Sequence, residues 1–517
     1  MKKDKQLVIN IVANVVSFST TFIISFFLSP YIIANVGKEA QGFVSLANDF
    51  VNYMALLTIA LNSMASRFIA VKIHQGQQKM ATRYFNSVLI GNVIITILLI
   101  VPSVLSVFYL EYFLNITSTI INDVKILFAI TFISFFVNLI SSTFSVAPYV
   151  KNRLDLAAVR DVKATFVKAI TLVILFMVFK PHVFYVGIAG LLYTIVLLIQ
   201  NIKYTKQILP EIQIGLKYFD IKCIKEMLSA GIWNVISKIS SILATEMSLL
   251  ISNIAIGDSA MGILAVAKTF PNIILQLIGI LASVFTPGFI ISYAKADTKT
   301  LNKDIQFSMK FIGIFAGIPM TLLIVLGEAL LRLWVPSIET NILYIITIIY
   351  GLGMLFAGPV EPLYNVFTIT NKVRVPSIYA IITGFLNIVL VLIGVNIAET
   401  EMLKMVAIMG TTTVFTIVRT MIFIPLYAAK CLNLRKTVFY PPIIRSVLSS
   451  GILSIFGKLL DCSQYVHGWI TLIFMSIMFA IMQLVLNFYF FFDKNERKKI
   501  IKKIIGTILI KFKEGKK

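Results

Sequence analysis

Apolar residues run along almost the whole chain in long stretches that are broken only by short polar or glycine-containing turns. A membrane-spanning helix needs roughly 20 predominantly apolar residues to cross the hydrocarbon core. Stretches of this length predict an all-α integral membrane protein with fourteen transmembrane helices. Their approximate spans are 8–36, 41–71, 84–108, 124–148, 158–179, 183–202, 227–256, 260–293, 306–327, 341–370, 376–397, 403–429, 442–460 and 466–492.

The distribution of charge supports this map. The chain carries 46 Lys and Arg against 23 Asp and Glu, a net charge of +23. With the N-terminus placed inside, 36 of the 46 cations fall in inward segments and 6 in outward ones. Cytoplasmic loops of membrane proteins carry such an excess. The pattern therefore predicts a multi-pass membrane protein with both termini in the cytoplasm. The abundance of isoleucine, lysine and asparagine favours a bacterial protein, and hence the bacterial cytoplasmic membrane.

The composition excludes several classes of protein. Only 13% of the residues are charged and the mean hydropathy is +0.91, whereas a soluble domain has about 25% charged residues. The three cysteines and three histidines are scattered and form no metal spacing. There is no GxxxxGK[ST] phosphate loop and no loop long enough for a catalytic domain. We expect that the protein is not an enzyme and that it has neither a cofactor nor a nucleic-acid partner.

One internal repeat is visible in the two segments GKEAQGFVSLANDF (37–50) and GDSAMGILAVAKTF (257–270). Gly37 and Gly257 open the segments, and glycine tolerates the positive φ of a tight turn. The second segment follows the first by six predicted helices, so the two halves share one orientation, as in transporters built from parallel repeats. The predicted domains are an N-terminal six-helix lobe (1–206), a C-terminal six-helix lobe (207–430), two additional transmembrane helices (431–492) and a basic amphipathic cytoplasmic tail (493–517).

The stretch SPYIIANVGKEAQGFVSLANDF (29–50) resembles the first hairpin of polysaccharide exporters. Together with the helix count and the repeat, it resembles the Wzx-type O-antigen and capsular polysaccharide flippases. These belong to the multidrug/oligosaccharidyl-lipid/polysaccharide exporter (MOP) superfamily. The resemblance implies two pseudo-symmetric lobes, alternating access and a monomeric state among membrane lipids. It also implies an undecaprenyl-diphosphate-linked oligosaccharide as the cargo, moved from the inner to the outer leaflet.

Seven ionisable residues of the apolar spans are candidates for a site inside the membrane. A charge at mid-bilayer costs about 2.5–3.5 kcal/mol on insertion scales, so such residues usually face a water-filled cavity. Arginine and lysine suit a diphosphate, as a fork of donors and as a mobile point charge. The resemblance places cavity arginines in helices two and eight, where Arg67 and Lys268 are the nearest positions. The candidates for the head-group site are Arg67, Lys238, Lys268 and Arg419, and those for coupling or gating are Asp49, Glu246 and Glu361.

Each of these candidates has a structural alternative. Arg67 could snorkel to the membrane surface, and Lys268 could pair with Asp49. Lys238 and Arg419 could equally hold helices together.

The acidic residues raise the question of ion coupling. Glu361 stands between Pro359 and Pro362, where proline removes backbone donors and breaks the helix. A carboxylate at a broken helix can bind Na⁺ or a proton during the transport cycle. The alternative is a salt bridge that closes the inner gate.

Three other functions compete with a flippase. A drug/cation antiporter of the same superfamily commonly uses an acidic residue in its first helix, and span 8–36 has none. A membrane glycosyl transferase or polymerase needs a large outward loop. A sugar porter with two parallel halves has a charged signature between helices two and three that is absent here.

Overall fold

The computed structural model describes residues 3–151, 153–491 and residue 497. The predicted amphipathic tail (493–517) therefore lies outside the described residues, apart from residue 497. The described part consists of helices joined by turns and short loops, and its long helical segments follow the predicted spans. They are α1 (Lys3–Val36), α2 (Lys38–His74), α3 (Gln78–Phe108), α4 (Ile121–Val150), α5 (Leu154–Val178), α6 (Phe184–Ile208), α7 (Ile221–Ala255), α8 (Asp258–Ala294), α9 (Thr298–Trp334), α10 (Thr340–Val360), α11 (Arg374–Ile397), α12 (Glu401–Cys431), α13 (Tyr440–Leu459) and α14 (Trp469–Phe491).

Thirteen of the described helices are long and apolar enough to cross a membrane. The exception is α5, whose first half carries several charged residues. At 1.5 Å per residue its 25 residues would still reach about 37 Å. The fold is that of a multi-pass membrane protein, and the count of fourteen membrane helices stays a prediction.

The chain divides into two compact units, and neither is continuous in sequence. Unit 1 comprises residues 1–266 and 377–408, and unit 2 comprises residues 267–376 and 409–517. The lobe boundaries predicted from the sequence repeat are not tested by this division and stay a prediction.

In unit 1, α6 packs along α4 and α5, α1 packs on α5, and α2 packs on both α3 and α7. The helices α2 and α7 approach closely where α7 carries glycine, because a Cβ on Gly231 would lie 2.1 Å from the carbonyl oxygen of Ala60. Small residues allow this approach between membrane helices. Buried Asn92 ties α3 to its neighbours by donating to the Leu139 carbonyl at 3.1 Å and to the Asn62 side chain at 2.9 Å.

In unit 2, the long helix α9 lies against α10, α13 and α14. The additional helices are held on it by buried polar side chains. Gln483 of α14 bonds Thr321 of α9 at 3.3 Å and Ser450 of α13 at 3.3 Å, and Ser449 donates to Asn487 at 2.6 Å. Polar side chains join membrane helices in this way because lipid offers no hydrophobic force between them.

The repeated glycine turns adopt the predicted geometry. Gly37 has φ 108° and Gly257 has φ 140°, so both turns use the positive φ that glycine permits. The second glycines of the two motifs then meet within unit 1. A Cβ on Gly42 would lie 3.0 Å from the Cα of Gly262, and a Cβ on Gly262 would lie 2.5 Å from the carbonyl oxygen of Lys38.

Candidate functional site

The structure brings Lys238 and Glu246 together within unit 1. The Nζ of Lys238 lies 2.6 Å from an Oε of Glu246, and the two side chains are 21% and 15% exposed. Both residues are on α7, eight positions apart. In a regular α-helix that spacing would leave them about 80° apart around the axis.

A π-helical turn at Ile242–Glu246 explains how this pair forms. A π-turn accommodates one extra residue, because its hydrogen bonds run from i to i+5. When a π-turn lies between two residues, the residue at i+8 takes about the position that i+7 has in a regular helix. That position is on the same face of the helix as residue i, two turns further along. The side chains of lysine and glutamate are long enough to bridge that rise.

Polar groups from two other helices of unit 1 support the π-turn. A π-turn interrupts the regular backbone ladder, and the freed carbonyls need donors. Asn387 of α11 donates to the carbonyls of Ala244 at 3.1 Å and Leu243 at 3.4 Å. The hydroxyl of Tyr53 on α2 donates to the carbonyl of Glu246 at 3.2 Å.

Asp49 belongs to the same neighbourhood. It lies one turn before Tyr53 on α2, and both Asp49 and Glu246 interact electrostatically with the Tyr53 hydroxyl. Lys238, Glu246, Asp49 and Tyr53 therefore form one polar cluster within the helices of unit 1. We call it the α7 cluster.

Unit 2 holds a second cluster around Arg419. This residue opens another π-turn, Arg419–Phe423 in α12. Its charge acts on Glu361 and on Tyr364. The Nε of Arg419 is buried without a hydrogen-bond partner among the described residues. Glu361 lies where α10 gives way to the short helix Leu363–Ile369, so the helix is interrupted there as the flanking prolines predicted.

Lys268 is buried in unit 2, where it interrupts α8 between Ala267 and Thr269. The residue is 7% exposed, and its Nζ lies 5.8 Å from the centroid of the Tyr350 ring, a cation–π distance. The Tyr350 hydroxyl donates to Asn272 at 3.1 Å.

Arg67, the remaining candidate, has an exposed side chain near the end of α2. The structure thus groups Lys238 with Glu246 and Asp49, and Arg419 with Glu361. Whether these residues bind a head group or couple an ion stays a prediction. Among the described residues no group of His, Cys, Asp and Glu could hold a metal ion.

Sequence reasoning missed the tyrosines and the π-turns. Tyr53, Tyr350 and Tyr364 each adjoin a candidate charge, and none stood out among the 19 tyrosines of the chain. Only the π-turn in α12 had a sequence signal. Pro425 follows it, lacks an N–H, and clashes with the carbonyl four residues before it.

Comparison with known proteins agrees with this architecture. No protein-family profile matches the chain. The chain is 26% identical over 500 residues to "Uncharacterized membrane protein EpsK" of Bacillus subtilis (strain 168), covering 96% of this chain and 98% of that protein.

Solved structures show the fold. The lipid II flippase MurJ in an inward closed conformation superposes with a TM-score of 0.65 at 17% identity, covering 94% of this chain and 99% of MurJ. An inward-facing multidrug resistance MATE transporter of the MOP superfamily gives a TM-score of 0.67 at 14% identity, covering 80% and 94%. A MOP superfamily transporter from Pyrococcus furiosus gives 0.55 at 12% identity, covering 89% and 96%. These neighbours are transporters and a flippase, not enzymes.

Proposed function

We propose that this chain, which has the fold of MOP-superfamily transporters and flippases, translocates a polyprenyl-diphosphate-linked oligosaccharide across the bacterial cytoplasmic membrane. The cargo is a repeat unit of O-antigen, capsule, exopolysaccharide or teichoic-acid type, carried by alternating access between the leaflets with both termini cytoplasmic. The observation that carries the proposal is Arg419, a guanidinium within a membrane helix whose buried Nε–H has no partner among the described residues.

An unsatisfied buried donor is costly unless something accepts its hydrogen bond for part of the time. Glu361 lies close enough to interact with Arg419, so the charge is compensated when no cargo is present. A diphosphate offers several acceptor oxygens to a guanidinium. Lys268 and Lys238, both within membrane helices, supply further cations for an anionic lipid head group.

Two observations favour a flippase over a drug/cation antiporter. The first helix has no Asp or Glu in span 8–36, whereas a cationic cargo needs acidic partners. The flippase MurJ also covers 94% of this chain, against 80% for the inward-facing multidrug transporter.

Ion coupling through Glu361, with Na⁺ or H⁺ as the coupling ion, is part of the proposal.

The test is reconstitution of the full chain in proteoliposomes. Translocation of a fluorescent polyprenyl-diphosphate sugar is followed beside efflux of a cationic dye. We expect lipid movement that Arg419→Gln lowers at least tenfold, while Arg435→Gln in an exposed loop leaves it unchanged. Dye efflux without lipid movement would instead support the antiporter.

A further inference from the structure

A cavity of about 300 Å³ lies within unit 1 between α2, α4, α5 and α6. Its lining includes the polar residues Asn48, Ser134, Asn138, Lys168, Tyr193 and Thr194. Pockets for small ligands span about 300–1,000 Å³. The cavity is therefore large enough for one sugar residue and too small for a whole repeat unit.

Lys168 is the cation of this cavity. It is one of the 36 cations that the charge count along the sequence assigned to inward segments. The structure places it fourteen residues beyond Leu154, which begins this 25-residue helix. Among the described residues that line the cavity, none is acidic. The nearest acidic residue on α5 is Asp161, and it is engaged by Arg160 at 2.7 Å.

Three of the other polar groups of the cavity already donate to backbone carbonyls. Ser134 donates its hydroxyl hydrogen to the carbonyl of Ile130, and Thr194 donates to the carbonyl of Leu191, each at 2.8 Å. The amide of Asn48 donates to the carbonyl of Val44 at 2.8 Å. Since these donors are used by the backbone, the oxygen lone pairs remain for a ligand.

One ammonium group beside several acceptor oxygens favours a particular class of ligand. A bare anion would meet the oxygens of Asn48, Ser134 and Thr194, and a bare cation would meet Lys168. A ligand with one anionic group and several hydroxyls would satisfy both, since the anion takes the ammonium and the hydroxyls donate to the oxygens. We infer that this cavity binds a carboxylate-bearing sugar residue, so that the translocated oligosaccharide contains an acidic sugar. The inference rests on the proposed function, because it names the class of glycan carried.

The experiment is equilibrium binding to the full chain in lipid nanodiscs, with methyl β-glucuronide and neutral methyl β-glucoside as probes. We expect the glucuronide to bind at least tenfold more tightly. Lys168→Met should abolish the difference and Lys168→Arg should keep most of it. Lys163→Met, an exposed lysine on the same helix, should change nothing.

A second variant tests the cavity without touching its charge. A Cβ on Gly190, which lines the cavity, would meet nothing within 4 Å, so Gly190→Leu fills the space without a backbone clash. It should weaken binding of both glycosides at least tenfold, whereas Gly279→Leu, at an equally open position on α8, should not.

Equal affinity for the two probes, or a preference that survives Lys168→Met, would overturn the inference. Those results would leave lipid translocation, and hence the proposed function, intact. Conversely, selective glucuronide binding in a chain that moves no lipid would count against the proposed function alone.

Discussion

The ion pair between Lys238 and Glu246 allows the structural and functional roles of a membrane lysine to be measured separately. Three variants are needed: Lys238→Met, Glu246→Gln and the double variant. Each removes charge while keeping the approximate length of the side chain. Lys225→Met, at an exposed position earlier in the same helix, is the control.

The burial of the pair sets the expected magnitude. The side chains are 21% and 15% exposed and their charged atoms are 2.6 Å apart. Exposed pairs contribute about 0–1 kcal/mol, and breaking a buried pair costs about 3–5 kcal/mol because one charge is left uncompensated. We expect each single variant to lose about 2 kcal/mol of the free energy of unfolding. The double variant should lose less than about 1 kcal/mol, since neither charge of the pair remains without its partner.

The assay combines denaturant unfolding in detergent micelles with lipid translocation in proteoliposomes. If Lys238 binds the head group, the double variant should be stable and still at least tenfold slower in translocation than the wild type. Losses of stability that simply add in the double variant would refute the reasoning about the pair. Restoration of translocation together with stability would show that Lys238 has a structural role only.

Three further predictions concern other parts of the chain. In a thermal unfolding assay, Gly262→Ala should cost about 1–3 kcal/mol of stability by overpacking, because its Cβ would lie 2.5 Å from the carbonyl oxygen of Lys38. In the same assay Gly451→Ala, whose Cβ meets nothing within 4 Å, should not destabilise the protein. Gln483→Leu should cost about 1–3 kcal/mol, measured by denaturant unfolding, because it leaves its buried partners without hydrogen bonds. Glu361→Gln should make translocation independent of the Na⁺ or H⁺ gradient, and a dependence that persists unchanged would exclude Glu361 as the coupling site.

The features that were predictable from sequence are those set by local chemistry or by the membrane. Helix positions follow from hydropathy, because lipid forces every buried backbone group into a helix. The positive φ of Gly37 and Gly257 follows from residue type at a tight turn. The interruption of the helix at Glu361 follows from its flanking prolines.

The position of Lys168 could not be predicted by counting charges along the sequence. Its helix begins with several charges, so a linear count assigns the lysine together with them to an inward segment. The structure shows instead that the residue lines a cavity together with polar side chains of α2, α4 and α6. The polar residues that line this cavity are spread from Asn48 to Thr194, more than a hundred residues apart in sequence, so only the packing of the helices reveals the group.

The two π-turns differ in their cause: one is explained by the local sequence and the other by contacts with other helices. In α12 the turn precedes Pro425, and a proline alone accounts for a disturbed helix there. In α7 no proline stands near Ile242–Glu246, and the turn is supported by Tyr53 and Asn387 from other helices. Pairing of Lys238 with Glu246 depends on that turn, because a spacing of eight residues in a regular helix would place them about 80° apart around the axis. The electrostatics of the α7 cluster are therefore set by contacts made only after the helices pack, and a sequence pattern read along α7 alone could not show them.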